Sequence, residues 1–249
     1  MYLFLIILFI FYLFYKKKEC MTNTFEFLNN DTLYDFLIKD NDNYYKTFNK
    51  NDMIVRNINS INDYHKIIKQ SVCNCSEVIK NKIIKCINLI DNKINNINYD
   101  YFNGEKFNKI IWKIGFIKGK LYEGGLPHTR NDIIILPIDY LESLDNITLT
   151  KLLIHEKIHV YQKLYHDDIE KYLIKNNFNI VNKIIYNRRA NPDMNNKIYM
   201  DKDNNIYYSQ YNNKPKNIMD VTYYPINNSL HEHPFEKMAY EISNLISNY

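Results

Sequence analysis

The chain has 249 residues, 46% of them hydrophobic and 24% charged, with 32 Lys and Arg set against 28 Asp and Glu for a net charge of +4. Such a composition excludes wholesale disorder. A charge this close to balance, with no basic run beyond Lys16-Lys17-Lys18, excludes nucleic acid as a partner.

From the N-terminus, Met1 to Tyr15 is uninterrupted apolar and aromatic sequence, closed by the three lysines. As a helix it reaches about 22 Å, short of a ~30 Å hydrocarbon core, but lysine stems can snorkel and a bilayer can thin. There is no basic leader segment and no small-residue cleavage site, so the stretch does not read as a signal peptide. Residues 1–20 are therefore expected to form a single N-terminal membrane anchor with a basic flank. The positive charge lies after the span, which predicts the N-terminus outside and the body in the cytosol.

Residues 21–105 are punctuated by Asn and Asp and carry helical periodicity. Val78, Ile79, Ile83, Ile84, Ile87, Ile90 and Ile94 recur at threes and fours, which predicts one apolar helix face. Cys20, Cys73, Cys75 and Cys86 lack the spacing of a zinc knuckle or a redox pair and read as reduced bystanders. This part is expected to be a helical N-terminal region.

The texture changes near residue 106, where the second folded region, 106–249, is placed. All five glycines (Gly104, Gly115, Gly119, Gly124 and Gly125) cluster here, and Asn thins to Asn131 and Asn146 over residues 109–175. Ile110 to Ile117 and Ile133 to Leu136 are β-branched and aromatic runs that predict two strands of a small sheet. Gly124-Gly125-Leu126-Pro127-His128-Thr129 predicts a turn feeding the second strand. Thr148 or Thr150 is the expected cap of a helix running to about Tyr165. Residues 197–208 predict a hairpin, Asn191-Pro192-Asp193 a turn, and Pro234 the first residue of a final helix to about Ser247. The expected fold class is α+β.

The helix ending at Tyr165 contains His155-Glu156-Lys157-Ile158-His159. Histidines four apart share a helix face, so both imidazoles can reach one cation, and the adjacent glutamate can face a water without taking a ligand position. Leu152, Leu153, Ile154, Ile158, Val160 and Tyr161 make the helix apolar nearly all round, as a buried helix is. Buried imidazoles and a carboxylate in such surroundings need partners.

A third ligand is required, and three arrangements of this motif can be tested. The metzincin pattern fails, since Gln162 and Tyr165 stand where it has Gly and His, and the downstream Asp motif of aspzincins is absent. The gluzincin arrangement, a glutamate on a second helix with a small residue three later, fits Pro234-Phe235-Glu236-Lys237-Met238-Ala239-Tyr240. Ala239 is small enough for that helix to approach the first closely, with Phe235, Met238, Ala239, Ile242, Leu245 and Ile246 as its apolar stripe.

Over about residues 109–249 the sequence thus resembles the gluzincin zinc metallopeptidases. Gly124 to Thr129, His155 to Gln162, Asn191 to Asp193 and His233 to Tyr240 together resemble uncharacterised metallopeptidase-like proteins of large DNA viruses. The resemblance implies a zincin-like fold: a small sheet whose edge strand packs on an active-site helix, with a second ligand-bearing helix beside it. It implies one Zn²⁺ per chain held by His155, His159 and Glu236, with Glu156 as general base for a zinc-activated water. It also implies that the strand after the Gly-rich turn, Ile133 to Leu136, is the edge strand, along which a peptide or protein substrate is held extended by backbone pairing.

Where thermolysin-like enzymes carry an acid four residues after the ligand glutamate, this chain has Tyr240, so the residue that orients a ligand histidine is open between Tyr240 and Asp193. Candidates for contacting substrate or a developing oxyanion are His128, Tyr240, His231 and His233, with Tyr207, Tyr208, Tyr223 and Tyr224. His231-Glu232-His233 also offers alternative metal ligands or a helix start. The expected function is a membrane-anchored zinc metallopeptidase whose catalytic part is cytosolic or virion-associated. The alternative is a catalytically silent, zinc-stabilised structural or interaction protein at a membrane.

Overall fold

The computed structural model describes residues 25–226 and 231–247. Its first half is a strand followed by capped helices: β1 (Phe25–Phe27), α1 (Asn30–Lys39), α2 (Lys50–Val55), α3 (Ile61–Ser71) and α4 (Glu77–Ile94). The Asn and Ser residues that punctuate this part start helices. The side chains of Asn29, Asn49, Ser60 and Ser76 each accept a first-turn backbone N–H, and Asp52 completes a capping box with Asn49. On α4 the buried face is Ile79, Ile83, Cys86, Ile87, Ile90 and Ile94, while Val78 points outward.

A short hairpin, β2 (Asn98–Tyr99) and β3 (Phe102–Asn103), leads into α5 (Gly104–Lys109) and then β4 (Trp112–Ile117), β5 (His128–Arg130) and β6 (Ile133–Pro137). These strands and β1 form one sheet in the order β1-β4-β6-β5, with β5 antiparallel to β6 and the other pairs parallel. The segment expected only as a turn thus includes the edge strand, three residues long and bonded to β6 with His128 opposite Ile135, and β6, expected at the edge, is interior because β5 covers it.

Continuous apolar runs, rather than alternation, mark strands covered on both faces, and β6 is buried at all five positions. Ile114, Phe116, Ile134 and Leu136 face the helix that carries the histidines, together with α4. Ile117, Ile133 and Ile135 face Leu33, Leu37, Tyr64 and Ile68 of α1 and α3. Gly115 lets α1 sit close, because a Cβ there would lie 2.6 Å from the Leu33 side chain. Residues 25–105 are largely helical, and they share this sheet and its core with residues 106–249.

The rest comprises α6 (Ile138–Leu141), α7 (Asn146–Leu164), α8 (His166–Lys175), β7 (Asn179–Val181), β8 (Ile198–Met200), β9 (Ile206–Tyr211), β10 (Val221–Tyr224) and α9 (Pro234–Ser247). Strands β7 to β10 form a second, antiparallel sheet in sequence order. The expected hairpin is β8–β9, with Tyr199 opposite Tyr207, and α9 begins at Pro234 as expected. Among the described residues the fold is mixed α and β, with two four-stranded sheets and the β2–β3 hairpin.

The expected membrane localisation is corrected. No helix among the described residues is long and apolar enough to cross a membrane. The stretch Met1 to Tyr15 on which that expectation rested lies outside the described residues.

Candidate metal centre

Helix α7 is capped three residues before the nearer of the two expected caps. Asp145, not Thr148 or Thr150, is the cap, its carboxylate accepting the Thr148 N–H at 2.7 Å. From Glu156 to Gln162 every residue of α7 is buried, because the sheet, α4 and α9 surround it. Ala239, Met238 and Ile242 are fully buried where α9 lies against α7, and the small Ala239 permits that closeness.

This packing brings Glu236 onto the two histidines. His155 Nε2 lies 3.1 Å from His159 Nε2 and 3.3 Å from Glu236 Oε2. His159 Nε2 lies 3.7 Å from Glu236 Oε1. It is the one group of three metal-capable side chains among the described residues. His233 is elsewhere, its ring edge-on to Tyr199 and its Nδ1 accepting the Phe235 N–H, and Glu232 is ion-paired with Arg189.

Gln162 orients the deeper histidine. Its amide NH₂ donates to the Phe235 carbonyl at 2.9 Å, which turns Oε1 toward His159 Nδ1 at 3.0 Å. A carbonyl oxygen only accepts, so Nδ1 carries the proton and Nε2 presents its lone pair to the cluster. Neither residue considered for this task performs it. Tyr240 instead packs its ring against His155 at 4.5 Å, and Asp193 accepts the Thr129 N–H at 2.6 Å. Gln162 was readable in principle, since it stands three residues after His159 on the same helix face.

The electrostatics are those of three carboxylates meeting two imidazoles in a buried place. Burial, and then the Asp193 carboxylate, push the Glu156 carboxyl up to about 8. Burial and then Glu236 raise Asp193 to about 6. Burial opposes the charge on His155, but Glu236 outweighs it and lifts that ring to about 9. Burial pulls His159 down to about 3. Burial works against the Glu236 anion too, yet His159 and His155 hold its carboxyl well below the usual range.

His155, Glu156 and Glu236 open onto a cavity of about 510 Å³, also lined by the segment Gly125 to His128, by Asn191 to Asp193, and by Tyr223 and Tyr240. Asn191 Nδ2 bridges Glu232 and Glu236, 2.9 Å and 3.3 Å away. The expected turn at Asn191-Pro192-Asp193 is present and is built into this wall.

His128 is on the wall but occupied. Its Nδ1 donates to the Leu126 carbonyl at 2.9 Å, leaving Nε2 to accept from the Tyr122 hydroxyl at 3.3 Å. The His231 ring packs at a tilt against Tyr240, 4.7 Å between centroids. Of the four tyrosines singled out in the second sheet, Tyr223 reaches the cavity. Tyr207 donates to Asp201, and Tyr208 and Tyr224 stack on each other at a separate hollow.

The edge strand is not free for backbone pairing at its centre. Thr129 gives its N–H to Asp193, and its carbonyl accepts from Lys163 Nζ at 2.9 Å. The wall is braced from behind by the N-terminal helices. Glu123 receives Arg56 Nε at 2.9 Å and Nη2 at 2.6 Å, with the Tyr44 hydroxyl at 2.8 Å. Arg130, fully buried, is bonded to Asp40 at 2.8 Å and to Asp42 at 2.6 Å. Cys73, Cys75 and Cys86 are free thiols buried away from the cluster.

No family model, curated protein or solved structure matches this chain.

Proposed function

We propose that the chain is a zinc-dependent peptidase of gluzincin type, zincin-like in fold, in which His155, His159 and Glu236 hold the ion and Glu156 is the general base. The observation that carries the reading is the set of separations within the trio, 3.1, 3.3 and 3.7 Å. Tetrahedral zinc with bonds of roughly 2.0–2.1 Å needs ligand atoms about 3.3 Å apart, and two imidazole nitrogens with one carboxylate are the donor set of hydrolytic zinc sites.

Two further features support it. His159 presents a lone pair rather than a proton because Gln162 occupies its other nitrogen. The trio is buried on the His159 side and reaches the cavity through His155 and Glu236, as a site with one position left for chemistry requires.

Zinc, when bound, supplies a Lewis acid for a scissile carbonyl and makes water more acidic. The chain's own residues do the remainder. Glu156 accepts the proton of the attacking water at its carboxylate and passes it to the leaving amine. Tyr223 and Tyr240, both on the cavity wall, are the donors available to a developing oxyanion. With the centre of the edge strand taken by Lys163 and Asp193, the substrate is held by the cavity's side chains rather than by an added strand.

The test is hydrolysis of a pool of internally quenched peptides by the full chain. Cleavage that stops on chelation, returns with zinc, and falls by about 10² or more in Glu156→Gln is the expected result. Glu156→Gln cleaving as well as the parent would refute the assignment and favour a zinc-stabilised protein without turnover.

A further inference from the structure

Every polar group of Thr129 is engaged. The residue is the middle of β5 and fully buried. Its hydroxyl lies 2.9 Å from Glu156 Oε2 and 3.0 Å from the Glu156 carbonyl oxygen. Its N–H is held by Asp193 at 2.6 Å, and its carbonyl by Lys163 Nζ at 2.9 Å. Lys163 also donates to the Pro192 carbonyl at 3.0 Å, so one ammonium ties the strand to the turn beside it.

A hydroxyl has a single proton to give. The Glu156 carbonyl belongs to a helix residue, whereas side-chain Oε2 is the nearer oxygen and, when ionised, the stronger, charge-assisted acceptor. Three-residue β5 is short enough to slide or fray, and the bonds to Lys163 and Asp193 prevent both by fixing the main chain of the residue that carries the hydroxyl.

We propose that Thr129 is a positioning residue for Glu156. Its hydroxyl selects the carboxylate orientation that faces the cavity, and the clamp of Lys163 and Asp193 keeps that hydroxyl in place. The edge strand of this chain therefore serves the base, through a side chain, in place of serving substrate through its backbone. The inference rests on Glu156 being the general base.

The test uses the full chain, reconstituted with zinc and labelled with ¹³C at glutamate carboxyls, with the Glu156 resonance assigned by its loss in Glu156→Gln. In Thr129→Val, which keeps the shape and removes the hydroxyl, the zinc content is unchanged and the Glu156 resonance moves at fixed pH. The kcat for the quenched-peptide pool falls roughly tenfold or more with KM unchanged. Thr129→Ser recovers most of both effects. An unmoved resonance in Thr129→Val, with kcat retained, overturns the proposal.

A parent with no turnover would defeat the peptidase reading, yet the resonance would still report whether Thr129 holds Glu156. Should Thr129→Val not fold, the Thr129 hydroxyl proton of the parent carries the same information. Its resonance is displaced in Glu156→Gln if the bond exists, and an unmoved resonance refutes it.

Discussion

Gln162 Oε1 lies 3.0 Å from His159 Nδ1, and the same amide donates to the Phe235 carbonyl at the start of α9. One side chain thus sets the tautomer of one imidazole of the trio and ties its helix to the helix bearing Glu236. Residues in this position next to zinc-ligating histidines contribute about 10–100-fold to metal affinity. Gln162→Leu is expected to weaken zinc binding by that factor, read by competition with a chromogenic chelator. An unchanged affinity would remove Gln162 from the account of the site.

Glu123 makes stability depend on pH in a definite window. Burial opposes its charge, but Arg56, with lesser help from His128 and then the Tyr64 hydroxyl, outweighs burial and holds the folded carboxyl at about 2, below its ordinary 4.5. A depressed folded pKa stabilises fully above the unfolded value, and the contribution is lost as pH falls from about 4.5 to about 2. The size is of order 3 kcal/mol at about 1.4 kcal/mol per pH unit. Relative to Glu123→Gln, the parent is expected to be more stable at neutral pH, with the gap in melting temperature closing across that window. A gap independent of pH would contradict the assignment.

Arg130 is the anchor of β5 to the loop after α1. Removing its charge in Arg130→Met leaves Asp40 and Asp42 facing a buried apolar side chain, at a cost of roughly 3–5 kcal/mol. Adding Asp40→Asn and Asp42→Asn is expected to recover a large part of this in urea denaturation, because the loss is one of uncompensated charge. Additive losses would mean that the three residues act independently.

Gly125 and Gly124 both have positive φ, +68° and +65°. Each Gly→Ala change carries the left-handed penalty of about 1 kcal/mol. A Cβ on Gly125 would also lie 2.7 Å from the Gly119 carbonyl oxygen, whereas one on Gly124 meets only side chains at 3.7 Å and beyond. Gly125→Ala is therefore expected to be clearly the more destabilising of the two in thermal melts; equal losses would show that backbone strain alone matters there.

Much of the frame is legible in the sequence because its signals are local. The spacing of His155 and His159, Pro234 at a helix start, the apolar face from Ile79 to Ile94 and the turn between Tyr199 and Tyr207 each lie within a few residues of what they specify. Glu236 was reachable only by asking what a third ligand requires. Strands β1 and β5 were missed because three residues are too few for a periodic pattern, and both depend on partners far along the chain. Arg56 with Glu123, and Arg130 with Asp40, join positions 67 and 90 residues apart, and nothing near either residue announces the pairing. The cap on α7 went to Asp145 because a carboxylate one turn before Leu149 outcompetes the threonines that follow it.

The most direct measurement is bound zinc per chain after reconstitution of the 249-residue chain, taken in parallel for Glu236→Ala and Glu156→Gln. If His155, His159 and Glu236 hold the ion, the parent binds about one zinc, Glu236→Ala loses it, and Glu156→Gln keeps it. No zinc in the parent, or full retention in Glu236→Ala, would contradict the assignment of this trio as a metal centre.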